Sequence, residues 1–352
     1  MENFVDLYTD YLITSSSYTT STGMASLLNI KHDKITKELT DGLYDSKFLW
    51  SKAKPFIQEL SQSSETIILS FDDSIQEKKY TDESELNCWH FDHTVGRSVK
   101  GVNFLTALVE VAGMRLPCAV EFIIKDKFET NEKTGKQKRV CSKTKNELFR
   151  EMLKTCNSNF WFDYVLTDSW YSSIENMQYC KEQLNHDFIM ALKSNRKVAL
   201  SLEDKQNKKY VGIETLQPGQ QTVEIWLENL DSPLLLTKQV FKNENGTVGE
   251  LYLACSDLKL SYDQITTIYK KRWGVEEYHK SIKSNTGFAK SPTKKIKTQK
   301  NHFILSIVAY IKLEFLKLRT GKNHFSMKSQ IYLKAQQAAY AELKKLSTTN
   351  AA

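Results

Sequence analysis

Three acidic side chains, far apart in the chain, stand where chemistry is possible: Asp73, Asp168 and Glu276. ETIILSF (65–71) and FDYVLTD (162–168) are apolar, β-rich runs, and each leads into aspartate. Ligands of open α/β sheets gather at the carboxyl ends of strands. Carboxylates held together repel one another unless a counter-charge intervenes. A divalent cation supplies that charge, and hard oxygen donors select Mg2+ or Mn2+. Two such ions, about 3.5–4 Å apart, activate a water or a 3′-hydroxyl and stabilise the leaving oxygen of a phosphodiester.

Glu276 belongs to YKKRWGVEEYHKSIKS (269–284). Ser261 suits an N-cap, and the spacing predicts one helix over 261–284. At about 100° per residue, Tyr269, Arg272, Glu276 and Lys283 share a polar face roughly 60° wide. Ile268, Val275 and Ile282 form an adjacent apolar stripe fit to pack on a sheet. Arg272 and Lys283 would then hold the phosphates of the strand being cut. The competing reading is a surface helix carrying an i, i+4 ion pair between Arg272 and Glu276.

The elements around these residues alternate. VNFLTALVEVAG (102–113) and LPCAVEFIIKD (116–126) read as strands, and KTGKQKRVCSKTK (133–145) as a solvated basic loop. KNELFREMLKTC (145–156) and SSIENMQYCKEQL (172–184) have helical spacing, and DFIMALK (187–193) is a strand. This predicts an α/β domain with a mixed sheet. Residues 196–255 hold short strands between turns and read as an all-β insertion, and 261 to about 318 is helical again. TSTGMASLLNIKHDKITKELT (20–40) reads as a helix-turn-helix, its second helix starting near Asp33 with Lys34 and Lys37 facing outward. An ordinary helical hairpin is the alternative there.

The chain of 352 residues carries 49 Lys+Arg against 42 Asp+Glu, net +7, which leans toward a polyanionic partner. Its six cysteines form no C-x-x-C pair and read as reduced thiols of a cytoplasmic protein. The N-terminus is acidic without a signal-peptide apolar region. FILSIVAYI (303–311) is too short to span a bilayer and reads as a buried helix, so no membrane partner is expected. His90 and His93 lack a third ligand at zinc spacing, and neither a G-x-S-x-G elbow nor a phosphate-binding G-x-x-x-x-G-K loop is present. No nucleotide cofactor is expected.

Tyr269-x2-Arg272-x3-Glu276-x6-Lys283 resembles the Y-R-E-K signature of bacterial insertion-sequence DDE transposases, in the insertion-sequence group four superfamily. SFDDS resembles that family's first-Asp strand, with Asp73 as the catalytic residue and Asp72 as its rival, and VLTDSWYSS resembles the second, giving Asp168. WHFDHTVGRSVKGVNFL (89–105) and ALKSNRK (191–197) also look like segments of the family, over roughly residues 65–320.

The resemblance implies a ribonuclease-H-like core with a β-rich insertion before the Glu. It also implies two divalent ions on Asp73, Asp168 and Glu276, binding to terminal inverted repeats and target DNA, a synaptic homodimer, and cut-and-paste transposition beside the nucleoid. Tyr269, Arg272 and Lys283 are then expected on the DNA backbone. Trp170 and Trp273 are candidates to stack on an unpaired base, with core packing as the rival reading. Lys193, Arg196 and Lys197 are candidates to track phosphates. The expected organisation is a DNA-binding region (1–64), a core in two parts (65–195 and 256–320), the insertion (196–255) and a polar helical tail (321–352). The alternatives are a nuclease or resolvase of the same fold, or a silent DNA-binding regulator.

Overall fold

The computed structural model describes residues 4–62, 66–130, 132–242 and 246–349. The boundary expected at 64–65, part of the turn at 243–246 and the last three residues lie outside them. The chain divides into two compact units. One comprises 1–55, 75–103 and 277–352, and the other 56–74 and 104–276.

The chain opens with four helices: α1 (Phe4–Thr14), α2 (Ser21–Leu28), α3 (His32–Asp41) and α4 (Ser46–Leu60). Strands β1 (Ile68–Glu77), β2 (Asn87–Asp92), β3 (Arg97–Val111), β4 (Met114–Phe122), β5 (Lys127–Thr130) and β6 (Gln137–Val140) follow. Then come α5 (Lys145–Asn157), β7 (Tyr164–Thr167), α6 (Ile174–Gln178) and β8 (Asp187–Leu192). The interval expected to be an insertion holds β9 (Lys197–Val198), α7 (Leu202–Gln206), β10 (Val211–Gly212), β11 (Val223–Ile225), β12 (Leu234–Lys242) and β13 (Val248–Cys255). Helices α8 (Tyr262–Lys270), α9 (Trp273–Asn285), α10 (Ile296–Thr320) and α11 (His324–Thr349) close the chain.

The helical unit is built on α1, α2, α3 and α10. Leu12, Met24, Ile35, Leu39, Leu305 and Leu313 belong to one buried cluster. The run 303–311 is buried throughout, as expected, and no described helix is long and apolar enough to cross a membrane. The first helical hairpin is also as read. Thr20 caps α2 by accepting from the Gly23 amide, Asn29 ends it in the left-handed region at φ 53°, and α3 begins three residues later with Lys34 and Lys37 exposed. In this same unit β2 pairs antiparallel with residues 97–102 of β3.

The second unit is mixed α/β. Its strands run in the order β11-β12-β13-β8-β7-β1-β3, with β4 also on β3. β1, β7 and β8 are parallel, while β11, β12 and β13 add to β8 antiparallel. In the β-rich interval β11, β12 and β13 therefore extend the main sheet, while β9 and β10 pair in a small antiparallel sheet of their own, and the interval includes the short helix α7 where only strands were expected. Ala112 and Gly113, both at positive φ, make the two-residue turn of the β3–β4 hairpin.

Two further expectations are corrected. The basic loop contains β6, which pairs with β5 in a ribbon of its own. The single helix over 261–284 is two. Ser261 and Gln264 form a capping box at the start of α8. At the junction, however, the amides of Lys271, Arg272 and Val275 bond to Ile268, Tyr269 and Arg272, and these i to i−3 bonds tighten the backbone and break the register. Gly274 opens the new helix where a Cβ would stand 2.5 Å from the Arg115 Nε, so only glycine fits there without displacing that side chain.

Candidate active site

Asp72 and Asp73 lie inside β1, not at its end, so they project to opposite faces of the sheet. The register decides which aspartate meets Asp168. Ile68 pairs with Tyr164 and Phe71 with Thr167, so the next positions are Asp72 and Asp168, on one face. That face is the one covered by α8: Ile68, Leu166, Ile265 and Tyr269 share a buried cluster. The chain turns after α8 and delivers Arg272 and Glu276 to the same side. Arg272 Nη2 lies 2.7 Å from Glu276 Oε1, and Arg272 Nη1 lies 3.9 Å from Asp72 Oδ2.

Asp73 faces the other way. Its Oδ2 accepts from Lys145 Nζ at 2.6 Å and its Oδ1 from the Tyr171 hydroxyl at 2.7 Å. Lys145 is the first residue of α5, positioned by the capping box of Thr144 and Glu147. Tyr171 stands against Phe149, which in turn packs on Phe71. Both oxygens of Asp73 are thus engaged.

Burial pushes the Asp72 carboxyl up to about 8, and the charges of Asp168 and Asp73 add to it against the opposing pull of Arg272. Burial likewise raises Asp168, with Arg272 opposing. Below about 8 the folded site therefore keeps a proton on Asp72. Among the described residues, no group of three or more His, Cys, Asp or Glu side chains is arranged to hold a metal ion.

The remaining expected residues divide. The Tyr269 ring is buried against the sheet and its hydroxyl donates to the Thr167 carbonyl at 3.1 Å, so this side chain is packed inward instead of standing ready for a backbone. Trp170 is exposed, with the ammonium groups of Lys145 and Lys193 5.3 and 5.7 Å from its ring centroid. It lines a cavity of about 370 Å³ together with Lys193, Arg196 and Lys197. Arg196 also donates to the Ser172 carbonyl at 2.8 Å. Trp273 is exposed at the start of α9. Lys283 belongs to the other unit, where its Nζ donates to the Ile75 carbonyl at 2.9 Å. Lys34 and Lys37 belong to that unit too. Sequence reasoning missed Lys145 and Tyr171. Their signals were present, in a lysine just after an N-cap threonine and in a tyrosine three residues past Asp168.

Residues 134–312 match the family described as transposase DDE domain, and residues 3–213 match the family described as DDE superfamily endonuclease. No curated protein matches. Among solved structures, endonuclease V from Bacillus subtilis aligns over 75% of this chain and 93% of its own at 10% identity, with a TM-score of 0.24, a likeness too slight to speak for a shared fold. The two family matches each span half of the chain or more, and between them they cover both aspartate strands and the Arg272–Glu276 helix: this chain belongs to the DDE superfamily of transposases and endonucleases, whose members generally use divalent metal ions.

Proposed function

We propose that this protein is a transposase that cuts DNA at the inverted repeats ending a mobile element and joins the freed 3′ end to target DNA. The observation that carries the reading is the lateral pairing of Asp72 with Asp168 beneath the helix bearing Arg272 and Glu276. Asp72 replaces Asp73 as the first acid, because Asp73 faces away with both oxygens engaged.

The donor chemistry fits a divalent cation. Asp72 and Asp168 offer hard oxygens whose charge is costly where they stand, and a cation would relieve that cost. Asp72, Asp168 and Glu276 would hold Mg2+ or Mn2+, which bound in a pair supplies Lewis acidity at a phosphodiester and a more acidic attacking hydroxyl. Glu276 would join through its carboxylate, and if it left Arg272 the guanidinium would be free to take a phosphate oxygen. Lys145 and Tyr171 fix Asp73 and thereby the path of β1. Trp170, Lys193, Arg196 and Lys197 offer one cavity to an unpaired nucleotide and its phosphate. The exposed Lys34 and Lys37 on α3 suit the terminal repeats. Lys283 and Trp273 contact the flanking backbone, and a homodimer holds two ends together.

The test is incubation with a duplex carrying the element's terminal repeats and Mg2+ or Mn2+. Nicking at the repeat boundary followed by strand joining is expected, both lost in Asp168→Asn. Cutting without joining would make the protein a nuclease, and binding without cutting a regulator; either result overturns the reading.

A further inference from the structure

The ribbon of β5 and β6 has no part in the sheet and no core to bury. Lys127 pairs with Val140, Phe128 with Arg139, Glu129 with Lys138 and Thr130 with Gln137. All four residues of β5 are exposed, and those of β6 are exposed or half-buried. Phe128 is 58% exposed, with the Arg139 guanidinium 4.4 Å from its ring centroid. A lone two-stranded ribbon is marginal in water. The folding of the chain therefore gains little from this one.

Charge distinguishes it. Residues 125–145 carry eight Lys or Arg against three Asp or Glu, a net +5 in a chain whose total is +7. Lys127 and Lys136 make no ion pair among the described residues, and the pair of Lys138 with Glu129 is exposed at 3.5 Å, so it holds little. The base of the ribbon is fixed. The Ser142 amide donates to Asp126 Oδ1 at 2.8 Å. Five residues beyond Val140, or at most about 18 Å of chain, Lys145 is bonded to Asp73.

We infer that the β5–β6 ribbon is an arm that lies along duplex DNA beside the cleaved bond, its lysines on phosphates and its Phe128–Arg139 pair toward a groove. The inference rests on the proposed function. The fit is chemical: a polyanion complements a segment of net charge +5, and the major groove admits a two-stranded ribbon. The connection ends at Lys145, whose Nζ stands 5.3 Å from the ring centroid of Trp170, and the Trp170 amide donates to Asp168, which ties the arm to the site rather than to a remote surface.

The test uses the full chain and a triple variant, Lys127→Ala with Lys136→Ala and Lys138→Ala. Binding to a fluorescein-labelled duplex of arbitrary sequence is followed by anisotropy between about 50 and 200 mM salt. Each phosphate contact contributes about 0.9 to the slope of log affinity against log salt, so the variant should lose roughly two to three from that slope and bind at least tenfold more weakly. Its melting temperature should match the parent, since the three side chains support no core. Replacement of 131–136 by Asn-Gly serves as a second variant with the same expected loss. An unchanged slope and affinity in both overturns the arm, as does a parent chain that binds no duplex. The two readings fail separately. A parent that binds through the ribbon but never cuts leaves the arm standing and sinks the transposase. A parent that cuts while both variants bind as it does sinks the arm alone.

Discussion

Asp72 and Asp168 each stand one position beyond the Phe71–Thr167 pair of two parallel strands, and Asp72 lies 3.9 Å from Arg272, at the junction of α8 and α9. Paired residues of parallel strands point the same way, so the Phe71–Thr167 register carries Asp72, still inside β1, and Asp168, the first residue after β7, toward one face. Asp73, adjacent in sequence, is on the reverse face with Lys145 and Tyr171.

This geometry separates two adjacent carboxylates by experiment. Asp72→Asn should reduce DNA cutting by a factor of about a hundred or more, the scale expected when a preorganised charge is removed from a reacting centre. Asp73→Asn should retain its hydrogen bond from Tyr171 and lose much less. Rates of nicking for the two variants, measured on one substrate at saturating Mg2+, decide the matter. Equal loss in both would remove the distinction between the two faces.

The same Asp72 should make the metal-free protein sensitive to alkali. Its carboxyl titrates near 3.8 when unfolded and is pushed to about 8 when folded, by burial and by its acidic neighbours. Between those values the folded chain holds the extra proton, so stability falls as pH rises through that window. Asp72→Asn cannot ionise and should not show the decline. In EDTA the parent should lose several degrees of melting temperature relative to the variant between pH 6 and pH 8, a gap that Mg2+ should narrow.

Arg272 should couple to Asp72 and Glu276. It is 15% exposed and holds Glu276 at 2.7 Å, so truncation strands two carboxylates in a partly buried site. Arg272→Ala should cost about 2–4 kcal/mol, near the cost of breaking a buried pair. Measured at about pH 9, above the Asp72 titration, adding Asp72→Asn should recover part of it, because the second change removes the charge left unbalanced. Denaturant midpoints for the parent, both single variants and the double variant give the coupling; simple additivity would place Arg272 outside the acid cluster.

Much of the local structure was legible in the sequence, and what was not has a definite cause. The Ser261 cap, the buried run at 303–311 and the pair of helices around Asn29 are local signals, carried by capping oxygens, unbroken apolar residues and a left-handed turn. Which of Asp72 and Asp73 faces Asp168 depends on strand register, set by contacts about a hundred residues away in the chain. The break at 271–272 carries no proline or glycine of its own, and the glycine that permits it, Gly274, answers to Arg115 across space. Lys145 read as one more surface cation because its partner is 72 positions away.

A last prediction concerns the helical unit. His302 is buried in α10, with its Nε2 3.1 Å from the Gly287 carbonyl and its Nδ1 2.9 Å from the Tyr8 hydroxyl. The carbonyl can only accept, so Nε2 carries the hydrogen and Nδ1 accepts from Tyr8, which leaves the ring neutral. Burial and the nearby Lys78 hold its titration down near 4, against an ordinary 6.5. Below about 6.5 the unfolded chain gains a proton that the folded chain refuses until about 4, so stability should drop as pH falls through that interval. The shift corresponds to a loss of order 3 kcal/mol by the lower end. Tyr8→Phe should cost about 1–2 kcal/mol at neutral pH by leaving Nδ1 without its donor. Urea midpoints at pH 7 and pH 5 for the parent and for His302→Gln test the assignment: the parent should weaken with acid more than the variant, and parallel curves would show that His302 is not the group responsible.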